Sequence, residues 1–177
     1  MNIKSNTDIN NLKFLNDDTV ISMTVPFLEN LKNKSSVLVD IDCYNLMVEE
    51  IKKKKFNFKI TPQEQNYLNK IPENKALEYL IYRYKFKEYP KKKISTDFPI
   101  YILIEPVSSC NLKCPMCFQS DHSFIKKEFM GKMDINLYKK IIDESQNNGT
   151  KAITFGSRGE PTIHPEFISF LNYAGNK

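Results

Sequence analysis

The stretch "IYILIEPVSSCNLKCPMC", residues 100–117, decides how this chain reads. It opens with a nearly continuous apolar run, 100–105, the pattern of a strand buried on both faces. Three of the chain's four cysteines then fall within eight positions, Cys110, Cys114 and Cys117, spaced C-x3-C-x2-C. Downstream, "MDINLYKKIIDESQNNG" (133–149) reads as a helix capped by Asp134. Its apolar face is Ile135, Tyr138, Ile141 and Ile142, and Gly149 can end it in a left-handed turn. "TKAITFG" (150–156) reads as a second buried strand. "HPEFISFLNYAG" (164–175) reads as a second helix, with Pro165 in its first turn and Phe167, Phe170, Leu171 and Ala174 facing inward. Strand, loop, helix, strand, loop, helix is a βαβα order, which implies parallel strands and an α/β fold.

Residues 1–90 read as a separate, mostly helical extension. "TVISMTV" (19–25) is a candidate strand, and 36–56 starts β-branched and ends helix-like, so its type stays open. The signal is sharper at "TPQE" (61–64). Thr61 suits an N-cap, Pro62 the first helical position, and Glu64 completes a capping box. Leu77, Leu80, Ile81 and Tyr84 share a face of a second helix, giving a helical hairpin over 61–89. Residues 91–98 read as a linker between this extension and 99–177.

Composition narrows the function classes. With 12 Phe and 9 Tyr the chain can build a core. The net charge of +5 is divided between short runs at 52–55 and 91–93, with no base-reading motif, so nucleic acid is not an expected partner. The N-terminus is polar, unlike a secretory signal, and the apolar run at 98–104 is far too short to span a bilayer. A cytoplasmic address is expected. Thiols stay reduced there, so a tight cysteine cluster points to a metal or redox site.

Three chemistries fit such a loop at the carboxyl end of a parallel strand, where α/β folds build their sites. One is structural zinc, which wants four ligands and would recruit His122 or Cys43. One is a dithiol redox pair at Cys114 and Cys117, which leaves Cys110 unexplained. One is a four-iron cluster held by three thiolates, leaving one iron open for chemistry. Pro115 keeps Cys114 out of helical geometry, so the segment must loop. Outside this set, Cys43 reads as a small buried hydrophobe and His164 as a cap on the second helix.

"CNLKCPMC" (110–117) resembles the signature of the radical S-adenosylmethionine (radical SAM) enzymes. "SRGEPTIHPEF" (157–167), after the second strand, resembles that family's Gly-Gly-Glu-Pro segment. Its Ser-Arg-Gly-Glu-Pro form is similar to members that carry a C-terminal auxiliary-cluster (SPASM-type) domain. The resemblance implies that Cys110, Cys114 and Cys117 ligate a 4Fe–4S cluster and that S-adenosylmethionine (SAM) chelates the fourth iron. It implies that Gly159 and Glu160 hold the SAM amino group and that Met116 lies near the adenine, where the family usually has an aromatic residue. Arg158 stands where the family has its first glycine. The implied activity is generation of a 5′-deoxyadenosyl radical for hydrogen abstraction from a small-molecule or peptide substrate. The implied electron donor is a flavodoxin or ferredoxin, and the implied enzyme is oxygen-sensitive.

The resemblance also implies a fold, a partial (β/α)6 barrel similar to a TIM barrel. At roughly 30 residues per βα unit, 99–177 holds about two units. The chain is therefore expected to be an N-terminal fragment or truncated product, inactive alone. The alternative is a non-enzymatic zinc-binding module using Cys110, Cys114, Cys117 and His122 or Cys43.

Overall fold

The structure, a computed structural model, describes residues 23–177. These form two compact units that divide between Ser95 and Thr96. Among the described residues no helix is long and apolar enough to cross a membrane.

The first unit is helical: α1 (Val25–Lys34), α2 (Ile41–Lys52), α3 (Pro62–Leu68) and α4 (Ala76–Lys92). Each of the first three starts at a residue able to satisfy a free backbone N–H. The Thr24 side chain accepts from Phe27 N–H, and Asp40 accepts from Cys43 N–H at 2.9 Å. Thr61 and Glu64 form the full reciprocal capping box, with Thr61 N–H donating to Glu64 at 2.6 Å. Leu77, Leu80, Ile81 and Tyr84 on α4 are all buried, against Phe27, Leu28, Leu31, Met47, Phe58 and Leu68. Buried Glu64 is held by Arg83 and Lys87, which answers the charge that the core would otherwise leave unpaired.

One reading of this unit falls mostly outside the described residues and one changes. Most of the strand read at 19–25 lies outside the described residues; Thr24 and Val25 are the cap and first residue of α1. The linker begins later than residue 91, because α4 continues through Pro90 to Lys92. A proline in the last turn forfeits one hydrogen bond without breaking the helix. The helix stops where Lys93 turns left-handed, φ 57°, and Ile94 N–H reaches back to Tyr89 O at 2.9 Å.

The second unit has the βαβα order read from the sequence. β1 (Tyr101–Ile104) and β2 (Ala152–Phe155) pair in parallel, Tyr101 opposite Ala152 and Ile104 opposite Phe155. α5 (Ile135–Asn147) connects them, capped by Asp134 and ended at Gly149, φ 78°. α6 (Phe167–Gly175) comes after β2. The core is Ile104, Tyr138, Ile142 and Phe170. Tyr138 stacks on Phe170 with centroids 4.2 Å apart and donates its hydroxyl to Phe170 O at 2.9 Å. Burial pushes the Tyr138 phenol up to about 12.

The structure is a mixed helical arrangement with a small parallel sheet, compatible with an α/β class. The strands are not buried on both faces: Leu103 is 53% exposed and Thr154 is exposed, while Ile102 and Ile104 face the helices. Alternation decides this, since successive strand residues point to opposite faces and α5 and α6 pack on one. On α6 the inward residue beside Phe170 is Tyr173, bonded to Asp143, while Leu171 is 42% exposed. Pro165 precedes the helix, which starts at Phe167.

This packing predicts a contrast. Phe170→Ala removes the ring under Tyr138 and should cost the second unit about 3–5 kcal/mol. Leu171→Ala should change it by no more than about 0.5 kcal/mol, as exposed positions do. Urea unfolding combined with amide hydrogen exchange at α5 and α6 measures both; equal losses would contradict the assigned face.

Candidate functional site: the cysteine loop and its supporting turn

The loop that leaves β1 is closed at its base. Val107 bridges Lys132 in antiparallel fashion, Ser108 N–H donates to Gly131 O at 3.0 Å, and Met133 N–H donates to Pro106 O at 2.8 Å. Residues 108–131 therefore form an excursion whose ends are pinned together. Gln119 crosses it, donating Nε2–H to Ser108 O at 2.7 Å. Phe118 packs edge-on against Phe124.

Inside the excursion, Cys114 and Cys117 belong to one turn, closed by Cys117 N–H to Cys114 O at 3.0 Å. Pro115 occupies the second position of that turn, where its fixed φ fits. Ser120 ties the turn to the next segment of the loop, donating both N–H and Oγ–H to Cys117 O at 3.0 and 2.7 Å. Cys110 lies outside the turn and receives the Leu112 N–H on its sulfur at 3.4 Å. N–H donors of this kind tune cluster-ligating thiolates.

All three cysteines line one cleft of about 670 Å³, together with Asn111, His122 and Met130. All three are free thiols; Cys110 and Cys117 are half-buried and Cys114 is exposed. Among the described residues no three His, Cys, Asp or Glu side chains are drawn close enough to hold a metal ion. The thiols share a cavity without forming a closed ligand set. Thiols do not attract one another, and in metal sites the ion supplies the convergence. The donor set suits iron–sulfur or zinc chemistry: soft ligands, accessible, facing one space.

The segment after β2 packs onto the start of this loop. Gly159 approaches the backbone of Val107 so closely that a Cβ there would sit 1.7 Å from Val107 O and 2.9 Å from Ser109 O. Glu160 N–H donates to Ser109 O at 3.0 Å. Ser157 has φ 122°, a strained value for a residue with a side chain. Arg158 meets Glu105, the residue just past β1. Its backbone N–H donates to Oε2 at 2.9 Å and its Nη2 to Oε1 at 2.8 Å. The same Nη2 reaches Ser108 Oγ at 3.3 Å. Burial works against the Glu105 charge, but the Arg158 bonds and Ser108 hold the carboxyl below its usual range.

Glu160 is turned to its own neighbour. Both Thr162 bonds to it, from N–H at 3.1 Å and Oγ1 at 2.6 Å, fall on Oε1, and they hold that carboxyl below its usual range. Met116 is 87% exposed and, like the 157–161 turn, is not part of the cleft wall. His164 is buried, accepting Glu166 N–H on Nδ1 at 3.1 Å, so Nε2–H donates to Met133 O at 3.1 Å. It serves the entry of α6. Cys43 is fully buried in the first unit, where burial pushes its thiol up to about 11. Sequence reasoning misses the Arg158–Glu105 pair. Its signal is nonetheless present: opposite charges just past the carboxyl ends of two strands that pair in parallel.

Comparison with known proteins finds no matching family model and no matching solved structure. Three curated relatives align over 40–44% of the chain. The tungsten-containing aldehyde ferredoxin oxidoreductase cofactor-modifying protein of Pyrococcus furiosus is 39% identical over 72 residues, which is 19% of its own length. The mycofactocin maturase MftC of Mycobacterium tuberculosis is 33% identical over 78 residues, 19% of its length. The cysteine-type anaerobic sulfatase-maturating enzyme of Clostridium novyi is 36% identical over 78 residues, 21% of its length. The chain thus spans about one fifth of each. These relatives are radical SAM maturases, the family that the two motifs resemble.

The contact at Gly159 predicts that Gly159→Ala cannot be accommodated without moving the 107–109 backbone. It should destabilise the second unit by about 1–3 kcal/mol, the usual cost of overpacking. Urea unfolding checks this, and an unchanged midpoint would refute the close approach.

Proposed function

We propose that this chain is part of a radical SAM enzyme and carries its cluster-binding loop. One observation supports this most: the three cysteines of the C-x3-C-x2-C motif line a single cleft, on a loop braced by the Gly-Glu-Pro turn. In this reading Cys110, Cys114 and Cys117 hold a 4Fe–4S cluster and leave one iron without a protein ligand. When bound, the cluster and SAM supply a 5′-deoxyadenosyl radical that abstracts a substrate hydrogen atom. Gly159 and Glu160 accept from the SAM ammonium, and Glu160 Oε2 is the oxygen this reading gives to it. Met116 offers a soft apolar surface to the adenine. The βαβα unit is then the start of a partial barrel of such units, similar to a TIM barrel. Two of the relatives' names speak of maturation and one of cofactor modification, which favours a modification reaction on a substrate of the same broad kind. A flavodoxin or ferredoxin would deliver the electron.

Zinc is the competing occupant, because His122 lines the same cleft and adds a fourth donor. Cys43 is a poor fourth ligand, since its thiol is fully buried and resists ionisation.

Anaerobic reconstitution with iron and sulfide separates the two. The expected result is about four irons per chain, with the broad visible absorption of sulfur-to-iron charge transfer. Cys114→Ala should abolish that uptake. One tightly held zinc with no iron uptake would overturn the proposal.

A further inference from the structure

Residues 105–109 and 158–160 meet as two short strips of chain. Glu105 takes the Arg158 side chain and backbone N–H, Val107 O abuts Gly159, Ser108 Oγ takes Arg158 Nη2, and Ser109 O takes Glu160 N–H. Cys110 is the next residue. Cys114 and Cys117 are fixed to each other by their own turn, but Cys110 has no part in it. Its position is set by where the chain leaves residues 105–109, and hence by what grips them.

Backbone contacts and Gln119 also hold these residues, but the side-chain part of the grip is specific to arginine at 158. A guanidinium presents several N–H groups in a rigid fork, and here they divide between a carboxylate and a hydroxyl. Lysine would offer one point charge, and the glycine usual in the family at this position would offer none. The backbone contributes as well, since Arg158 lies between the strained Ser157 and the crowded Gly159. A turn held in such a conformation needs a strong anchor on either side.

We infer that Arg158, through Glu105 and Ser108, is a positioning residue for Cys110, fixing the first thiol of the cradle relative to the Cys114–Cys117 turn. This rests on the proposed cluster site. Arg158 itself is not a ligand. It acts as groups behind metal ligands do, by keeping a ligand where the metal can use it.

The test is the rate at which reconstituted chain loses iron to a chelator, for wild type, Arg158→Ala, Arg158→Lys and Glu105→Gln, with urea midpoints measured in parallel. Arg158→Ala should release iron about tenfold faster, the low end of what removing a supporting group costs. Arg158→Lys should fall between it and wild type, and the urea midpoints should stay close to wild type. If Arg158→Ala fails to fold, Glu105→Gln carries the test, with faster release again expected. Wild-type release rates in both Arg158→Ala and Glu105→Gln would overturn the inference while leaving the cluster site intact. A wild-type chain that takes up no iron would overturn the cluster site and the inference with it.

Discussion

Gly159 lies so close to the carbonyl of Val107 that not even a methyl group fits between them, and the loops of the second unit are arranged around that approach. It fixes the distance between the segment after β2 and the segment after β1. The parallel ladder brings the two strand ends level, Ile104 opposite Phe155, and the Arg158–Glu105 pair fastens the segments beyond them. From that joint the chain runs directly into Cys110. The α5–α6 packing serves the same end by holding the two strands side by side, with Tyr138 and Phe170 at its centre.

The Gly-Glu-Pro turn thereby has two jobs. Its glycine brings two backbones into contact, and its neighbouring arginine supplies the charge that holds them. In the proposed function the same turn also faces a ligand through Glu160. A segment that braces the cysteine loop and presents acceptors to SAM would couple the placement of the cluster to the placement of its co-substrate.

Local chemistry is legible in the sequence wherever one residue type has one physical use. The Thr61 capping box, the Asp134 cap, the left-handed Gly149 and the buried face of α4 can all be read from spacing alone. The illegible features depend on partners distant in sequence. An apolar run cannot say how many of its faces are covered, so Leu103 reads as buried although it is exposed. The α6 stripe can be rotated by one position, which hides Tyr173 and misplaces Leu171. The linker read from residue 91 starts too early, because a helix tolerates Pro90 in its last turn and runs on to Lys92. The cysteine motif is plain, but the joint behind Cys110 becomes visible only once the strand register is known. A glycine in a motif reads as ligand contact or as close packing, and only the Val107 carbonyl identifies the second.

In the proposed function three thiolates hold a cluster and leave one iron open. Mössbauer spectroscopy of the chain reconstituted with isotopically enriched iron, recorded before and after SAM is added, tests it most directly. One iron of the cluster is predicted to change its signature on addition while the others keep theirs. Irons that remain equivalent and unaffected by SAM would contradict it.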